Sequence, residues 1–96
     1  MTPEGKVKDG VKRYLKSVGA HYDMPVQTGY GKRMLDFIVC YKGLYLSIET
    51  KAPGKKATPI QQYIICEILE AGGLAIVANS VEDVKLAIEI LDNRKG

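Results

Sequence analysis

At 96 residues, with 46% apolar and 26% charged side chains, the chain has room for one hydrophobic core and has a globular rather than a fibrous or disordered composition. No apolar run approaches the roughly 18 residues needed to cross a bilayer, and the N-terminus lacks a signal peptide's apolar centre, so a cytoplasmic protein is expected. The net charge of +3 is uneven: residues 1–58 hold eleven Lys/Arg against five Asp/Glu, or +6, and residues 59–96 hold three against six, or −3.

The first helix opens with Thr2 as N-cap and Pro3 at the first helical position. Val7, Val11, Tyr14, Leu15 and Val18 fall on one stripe, and Gly19 stops the helix. Glu4 lies within that apolar face, where it either complements the helix dipole or serves a site. Lys6, Asp9, Lys12, Arg13 and Lys16 occupy the opposite arc, with Lys8 at its edge. His21, without a partner His or Cys nearby, reads as a surface loop residue. Met24 to Thr28 is a short candidate strand, followed by a glycine- and base-rich connection, Gly29-Tyr30-Gly31-Lys32-Arg33.

Two alternating segments follow. Leu35, Phe37, Val39 and Tyr41 alternate with Met34, Asp36, Ile38 and Cys40; Leu44, Leu46 and Ile48 alternate with Tyr45, Ser47 and Glu49. Lys42-Gly43 between them suits a two-residue hairpin turn, with glycine supplying the positive φ. That turn sets the register: Tyr41/Leu44, Val39/Leu46 and Phe37/Ile48 share an apolar face that must be core. On the other face Asp36 stands opposite Glu49, where like charges are destabilising unless something positive lies between them. Lys51 points to the same side as Glu49.

Residues 52–57 read as a loop, and Thr58-Pro59 starts a second helix running to about Ala71 and ending at Gly72-Gly73. Its apolar residues cover more than one stripe, which predicts cover on more than one side. Gln61 faces inward between Ile65 and Ile68 on the helical wheel, but Thr58-x-x-Gln61 also matches a capping box, and both readings stand. Leu74 to Ala78 reads as a buried strand. Ser80-x-x-Asp83 opens a last helix, with Val81, Val84, Ala87, Ile88 and Leu91 at helical spacing, ending near Asp92. Cys40 and Cys66 lie in apolar stretches without zinc-ligand spacing and are expected to be buried free thiols. Helices alternating with strands in this order define an α/β sheet with helices on its faces.

Asp36, Glu49 and Lys51 thus form D-x12-E-x-K across a hairpin. Either they are surface residues on a polar sheet face, or the carboxylates are hard oxygen ligands for Mg²⁺ or Mn²⁺. Such an ion lowers the pKa of a bound water and shields a phosphate, while Lys51 is a compact charge for the nucleophile or transition state. This layout suits phosphodiester hydrolysis. The basic first half is correspondingly either a solvated face or a surface for a polyanion.

The chain resembles the PD-(D/E)XK nucleases, and more narrowly their VRR-NUC branch, the virus-type replication-repair nucleases, in small standalone form. The residues carrying the resemblance are Glu4, Gly31 to Asp36, Ile48-Glu49-Thr50-Lys51, Thr58-Pro59-Ile60-Gln61, Ala71-Gly72-Gly73 and Asn79 to Asp83. Leu35 stands where the family often has proline before the aspartate. The resemblance implies a restriction-endonuclease-like αβββαβ core, a mixed central sheet flanked by helices, with an extra C-terminal helix. It further implies that Asp36, Glu49 and the carbonyl of Thr50 bind Mg²⁺ or Mn²⁺, and that Lys51, Glu4 and Gln61 complete the catalytic set. A homodimeric endonuclease acting on branched DNA such as Holliday junctions follows from the same resemblance. A non-catalytic DNA-binding subunit, or a nuclease component of a restriction system, are the alternatives. Lys8, Lys12, Lys16, Lys32, Arg33, Lys55 and Lys56 are candidates for phosphate contacts, and Tyr30 for stacking at a junction.

Overall fold

A computed structural model describes residues 1–26 and 33–95. Its elements run α1 (Pro3–Ser17), β1 (His21–Asp23), β2 (Phe37–Tyr41), β3 (Leu44–Thr50), α2 (Pro59–Glu70), β4 (Leu74–Ala78) and α3 (Val81–Lys95). The strands form one sheet in the order β1-β2-β3-β4. β1 and β3 flank β2 antiparallel, and β4 runs parallel to β3 after the α2 crossover. This is the mixed sheet and αβββαβ order expected, with α3 added at the end.

The hairpin has the expected register, Phe37 opposite Ile48, Val39 opposite Leu46 and Tyr41 opposite Leu44. Its turn has positive φ at both Lys42 (50°) and Gly43 (81°), the geometry that matches the twist of the flanking strands. Because side chains alternate along a strand, that register sends Phe37, Val39, Tyr41, Leu46 and Ile48 to one face. There they pack with Val7, Val11 and Leu15 of α1 and with Val84, Ala87, Ile88 and Leu91 of α3. Burying each large side chain such as Phe37, Leu46 or Ile48 contributes about 1.5–3 kcal/mol. At the turn, the Tyr41 hydroxyl donates to Asp92 of α3 at 2.8 Å, tying the hairpin to the last helix.

Both capping expectations hold. Thr2 Oγ1 accepts from the Gly5 N–H at 3.0 Å, and Thr58 caps α2 in a complete capping box. α3 extends past the expected end near Asp92.

Four expectations need correction. The strand before the hairpin is His21–Asp23, not Met24 to Thr28: Pro25 cannot donate to a ladder, and Gln27 and Thr28 lie outside the described residues. His21 is therefore on a short edge strand rather than in a loop, although its side chain is exposed as expected. Helix α2 is not covered on several sides; none of its side chains is buried, and Ile60, Tyr63 and Leu69 are exposed. The reason is layering: α1 and α3 share one sheet face, and α2 lies against the other, where Tyr45, Ser47 and Glu49 point. Cys40 and Cys66 are free but exposed, because the first sits on this thinly covered sheet face and the second on α2 itself.

Candidate active site

The functional candidates meet where β3 ends. Asp36 lies just before β2 and Glu49 is the penultimate residue of β3, so the hairpin register brings them side by side. Both the Thr50 N–H (3.0 Å) and the Thr50 hydroxyl (2.6 Å) donate to Asp36 Oδ2. This fixes the aspartate's orientation and, among the described residues, leaves Oδ1 facing only the Lys8 ammonium. Thr50 is fully buried, so its hydroxyl has little alternative to this bond.

Glu49 is only 4% exposed. Burial pushes its carboxyl up to about 7, the Asp36 charge pushes it the same way, and Lys51 and a hydrogen bond from the Asp36 main chain oppose both. Lys51 Nζ stands 3.7 Å from Glu49 Oε2. Gln61 Nε2 donates to the same oxygen at 3.0 Å.

Gln61 satisfies both sequence readings at once. Its Oε1 accepts from the Thr58 N–H at 2.9 Å while its own N–H donates to Thr58 Oγ1 at 3.3 Å. Since the backbone donor claims the amide oxygen, the NH₂ end must face Glu49. Helix α1 supplies Glu4, whose Oε2 lies 3.4 Å from Lys8 Nζ; that ammonium in turn lies 3.9 Å from Asp36 Oδ1.

A cleft of about 290 Å³ opens on these groups, lined by Arg33, Asp36, Glu49, Thr58, Ile60 and Gln61 among others. Arg33 therefore lines the same cleft as the carboxylates, whereas Lys8 is turned toward Glu4 and Asp36 rather than away from the protein. Lys12 and Lys16 follow Lys8 at intervals of four along α1 and form one ridge with it. Lys55 and Lys56 are exposed in the loop after Lys51. Asn79 Nδ2 holds that loop by donating to the carbonyls of Ala52 and Lys55, each at 2.9 Å. Tyr30 and Lys32 lie outside the described residues.

The donor set suits a hard divalent cation. Among the described residues, no three His, Cys, Asp or Glu side chains converge to cage an ion. Two carboxylates on the wall of a cleft with open space for water match the sparse protein ligation that Mg²⁺ prefers. The Glu49 carboxyl, pushed up by its burial first and by the Asp36 charge second, is one that a cation between the two acids would stabilise in its ionised form.

Sequence reasoning missed two partners. Thr50 entered only through its carbonyl, whereas its amide and hydroxyl orient Asp36. Asn79 carries the resemblance without an assigned role, although an amide at the end of a strand beside a glycine-proline loop is a natural clamp.

A four-stranded mixed sheet in the order β1-β2-β3-β4, flanked by helices on both faces, is the restriction-endonuclease-like α/β fold. Within it, this chain has the fold of a nuclease domain: it is similar to a solved structure described as a VRR_NUC domain, with a TM-score of 0.78 and 22% identity, over 93% of this chain and 97% of that chain. No protein-family model matches the chain, and no curated protein does.

Proposed function

We propose that the protein is a divalent-metal-dependent, structure-specific DNA endonuclease that hydrolyses phosphodiester bonds in branched DNA. The observation that carries this reading is the convergence of Asp36 and Glu49 beneath an open cleft, with Lys51 3.7 Å from Glu49. Asp36 Oδ1, Glu49 and the Thr50 carbonyl would hold the ion. When bound, Mg²⁺ or Mn²⁺ would lower the pKa of a water and offset charge building on the phosphate.

The chain's own groups do the rest. Thr50 presents Asp36 with one oxygen toward the cleft, and Gln61 holds the Glu49 carboxylate in one orientation. Lys51, 17% exposed at its side chain, brings a fixed positive charge to where the phosphorane's charge develops, in surroundings where such a charge acts more strongly than in water. Arg33 and the Lys8-Lys12-Lys16 ridge make the approach to the cleft positive, which favours a phosphate backbone over a neutral substrate.

The branched substrate rests on the resemblance and on the small size of the domain. A homodimer is supported by the same resemblance and by α2, whose exposed Ile60 and Tyr63 line a shallow cleft with Ile64. Incubation with a four-way junction and with linear duplex, each with and without Mg²⁺, tests the activity; cutting of the junction that requires the ion is expected. Absence of cleavage of either DNA in Mg²⁺ and Mn²⁺ would refute it. Sedimentation of wild type against Tyr63→Asp tests the dimer, which the variant should weaken.

A further inference from the structure

Lys8 is a cation placed among acids. Its ammonium lies 3.4 Å from Glu4 Oε2 and 3.9 Å from Asp36 Oδ1. The first contact is an ordinary i,i+4 helix pair, of the kind that contributes only a few tenths of a kcal/mol when solvated. The second is different, because it leaves the helix and reaches the sheet. It also selects one oxygen: Thr50 claims Oδ2 of Asp36 with two hydrogen bonds, so Lys8 faces the oxygen left for an ion. At 31% side-chain exposure, Lys8 has solvent within reach, so burial does not force this position on it.

The charges around the cleft bear on what it can hold. Glu4, Asp36 and Glu49 contribute three negative charges, and Lys8, Lys51 and Arg33 three positive, leaving no net charge. One divalent ion brings the cluster to +2, and two would bring it to +4 in a site where Glu49 is 4% exposed. Excess charge of one sign at short range in a partly buried site is strongly disfavoured. A carboxylate oxygen has two lone-pair directions, so an ammonium and one ion can share Asp36 Oδ1.

We infer that Lys8 is a resident cation standing where a second divalent ion would otherwise bridge Glu4 and Asp36, so that the centre takes one divalent ion per chain. The inference rests on the reading of this site as a metal centre. Lys8 is then a positioning residue that holds Glu4 against the sheet, and its substitution by a neutral side chain opens a second ion site between the two acids.

The test is Mn²⁺ binding to the full chain without DNA, counted by the loss of the free-ion electron paramagnetic resonance signal and by titration calorimetry. Wild type is expected to bind one Mn²⁺ per chain, Lys8→Gln and Lys8→Met two, and Lys8→Arg, which keeps the charge, one. Circular dichroism melts confirm that each variant is folded, and the Met variant keeps the apolar stem should Gln not fold. Two Mn²⁺ in wild type, or one in both neutral variants, would overturn the role of Lys8 while leaving the nuclease reading intact. Failure of wild type to bind Mn²⁺ at all would remove the metal centre itself, and this inference with it.

Discussion

Gln61 ties Glu49 to the first turn of α2: its Nε2 donates to Glu49 Oε2 at 3.0 Å while its Oε1 accepts from the Thr58 N–H at 2.9 Å. One side chain therefore caps a helix and aims a carboxylate, and the cap dictates which end of the amide meets the acid. Substitutions separate the two roles. Gln61→Ala loses both and should cost about 1–2 kcal/mol. Gln61→Glu keeps the capping box but sets a third carboxylate against Glu49 and Asp36. At pH 8 without divalent ions, the Glu variant is expected to melt below the Ala variant despite its intact cap. Thermal melts of both decide the matter, and a Glu variant more stable than the Ala variant would contradict the geometry.

Thr50→Val replaces a buried hydroxyl by a methyl group of similar size and removes the 2.6 Å bond to Asp36 Oδ2, leaving the N–H bond in place. A hydrogen bond to a charged group is worth about 1.5–3 kcal/mol, and denaturation in urea should show a loss in that range. Since Asp36 is then less well oriented, Mn²⁺ affinity should fall by roughly 10-fold, the lower range for residues that orient a metal ligand. Unchanged affinity would mean that Asp36 needs no such support.

The Glu49 carboxyl is raised from 4.5 to about 7 in the folded protein. A folded state that holds this proton more tightly than the unfolded chain gains stability from it below about pH 4.5, and that gain is lost as pH rises through about 7. The metal-free protein is therefore expected to melt at lower temperature at pH 8 than at pH 5.5, and Glu49→Gln to show a smaller change over the same window. Divalent ions require the ionised carboxylate, so their binding should strengthen from pH 6 to pH 8 and release protons near pH 6. Calorimetry in buffers of different ionisation enthalpy measures that release. Binding independent of buffer and pH would place the ion elsewhere.

Gly10 stands where α1 passes the start of α3, and a Cβ there would come within 2.5 Å of Val81 Cγ2. Alanine in a helix interior is ordinarily better than glycine by about 1 kcal/mol. Here a β-branched neighbour with few rotamers cannot move aside, and the sign reverses. Gly10→Ala should destabilise by about 1–2 kcal/mol, and Val81→Ala in the same chain should restore part of the loss. Urea denaturation of the single and double variants checks both signs.

Much of this was legible in the chain. The hairpin register followed from Lys42-Gly43 and the two-residue period, and it alone predicted that Asp36 and Glu49 would meet. Glu4 and Gln61 were recognisable as polar residues on inward helical faces, since a wheel reports direction well. What a wheel does not report is what lies opposite. The apolar sides of α2 suggested cover, and only the arrangement of layers shows that α1 and α3 both chose the other sheet face. The same arrangement explains why Cys40 and Cys66 are exposed. Lys8 fell at the edge of the wheel, where a long flexible side chain reaches either way, and its choice of Asp36 is a tertiary fact. The Thr50 hydroxyl was hidden for a similar reason, because threonine in a strand ordinarily means only β propensity.

The central claim is that Asp36, Glu49 and Lys51 act together in phosphodiester hydrolysis. Single-turnover cleavage of a labelled four-way junction by Lys51→Ala against wild type, in Mg²⁺ and at matched DNA occupancy, tests it most directly. The expected result is a loss of about 10²–10³ in rate with DNA binding nearly unchanged, the range for removing one group that stabilises transition-state charge. A variant that cuts as fast as wild type, or wild-type cutting that persists in a chelator, would contradict the account.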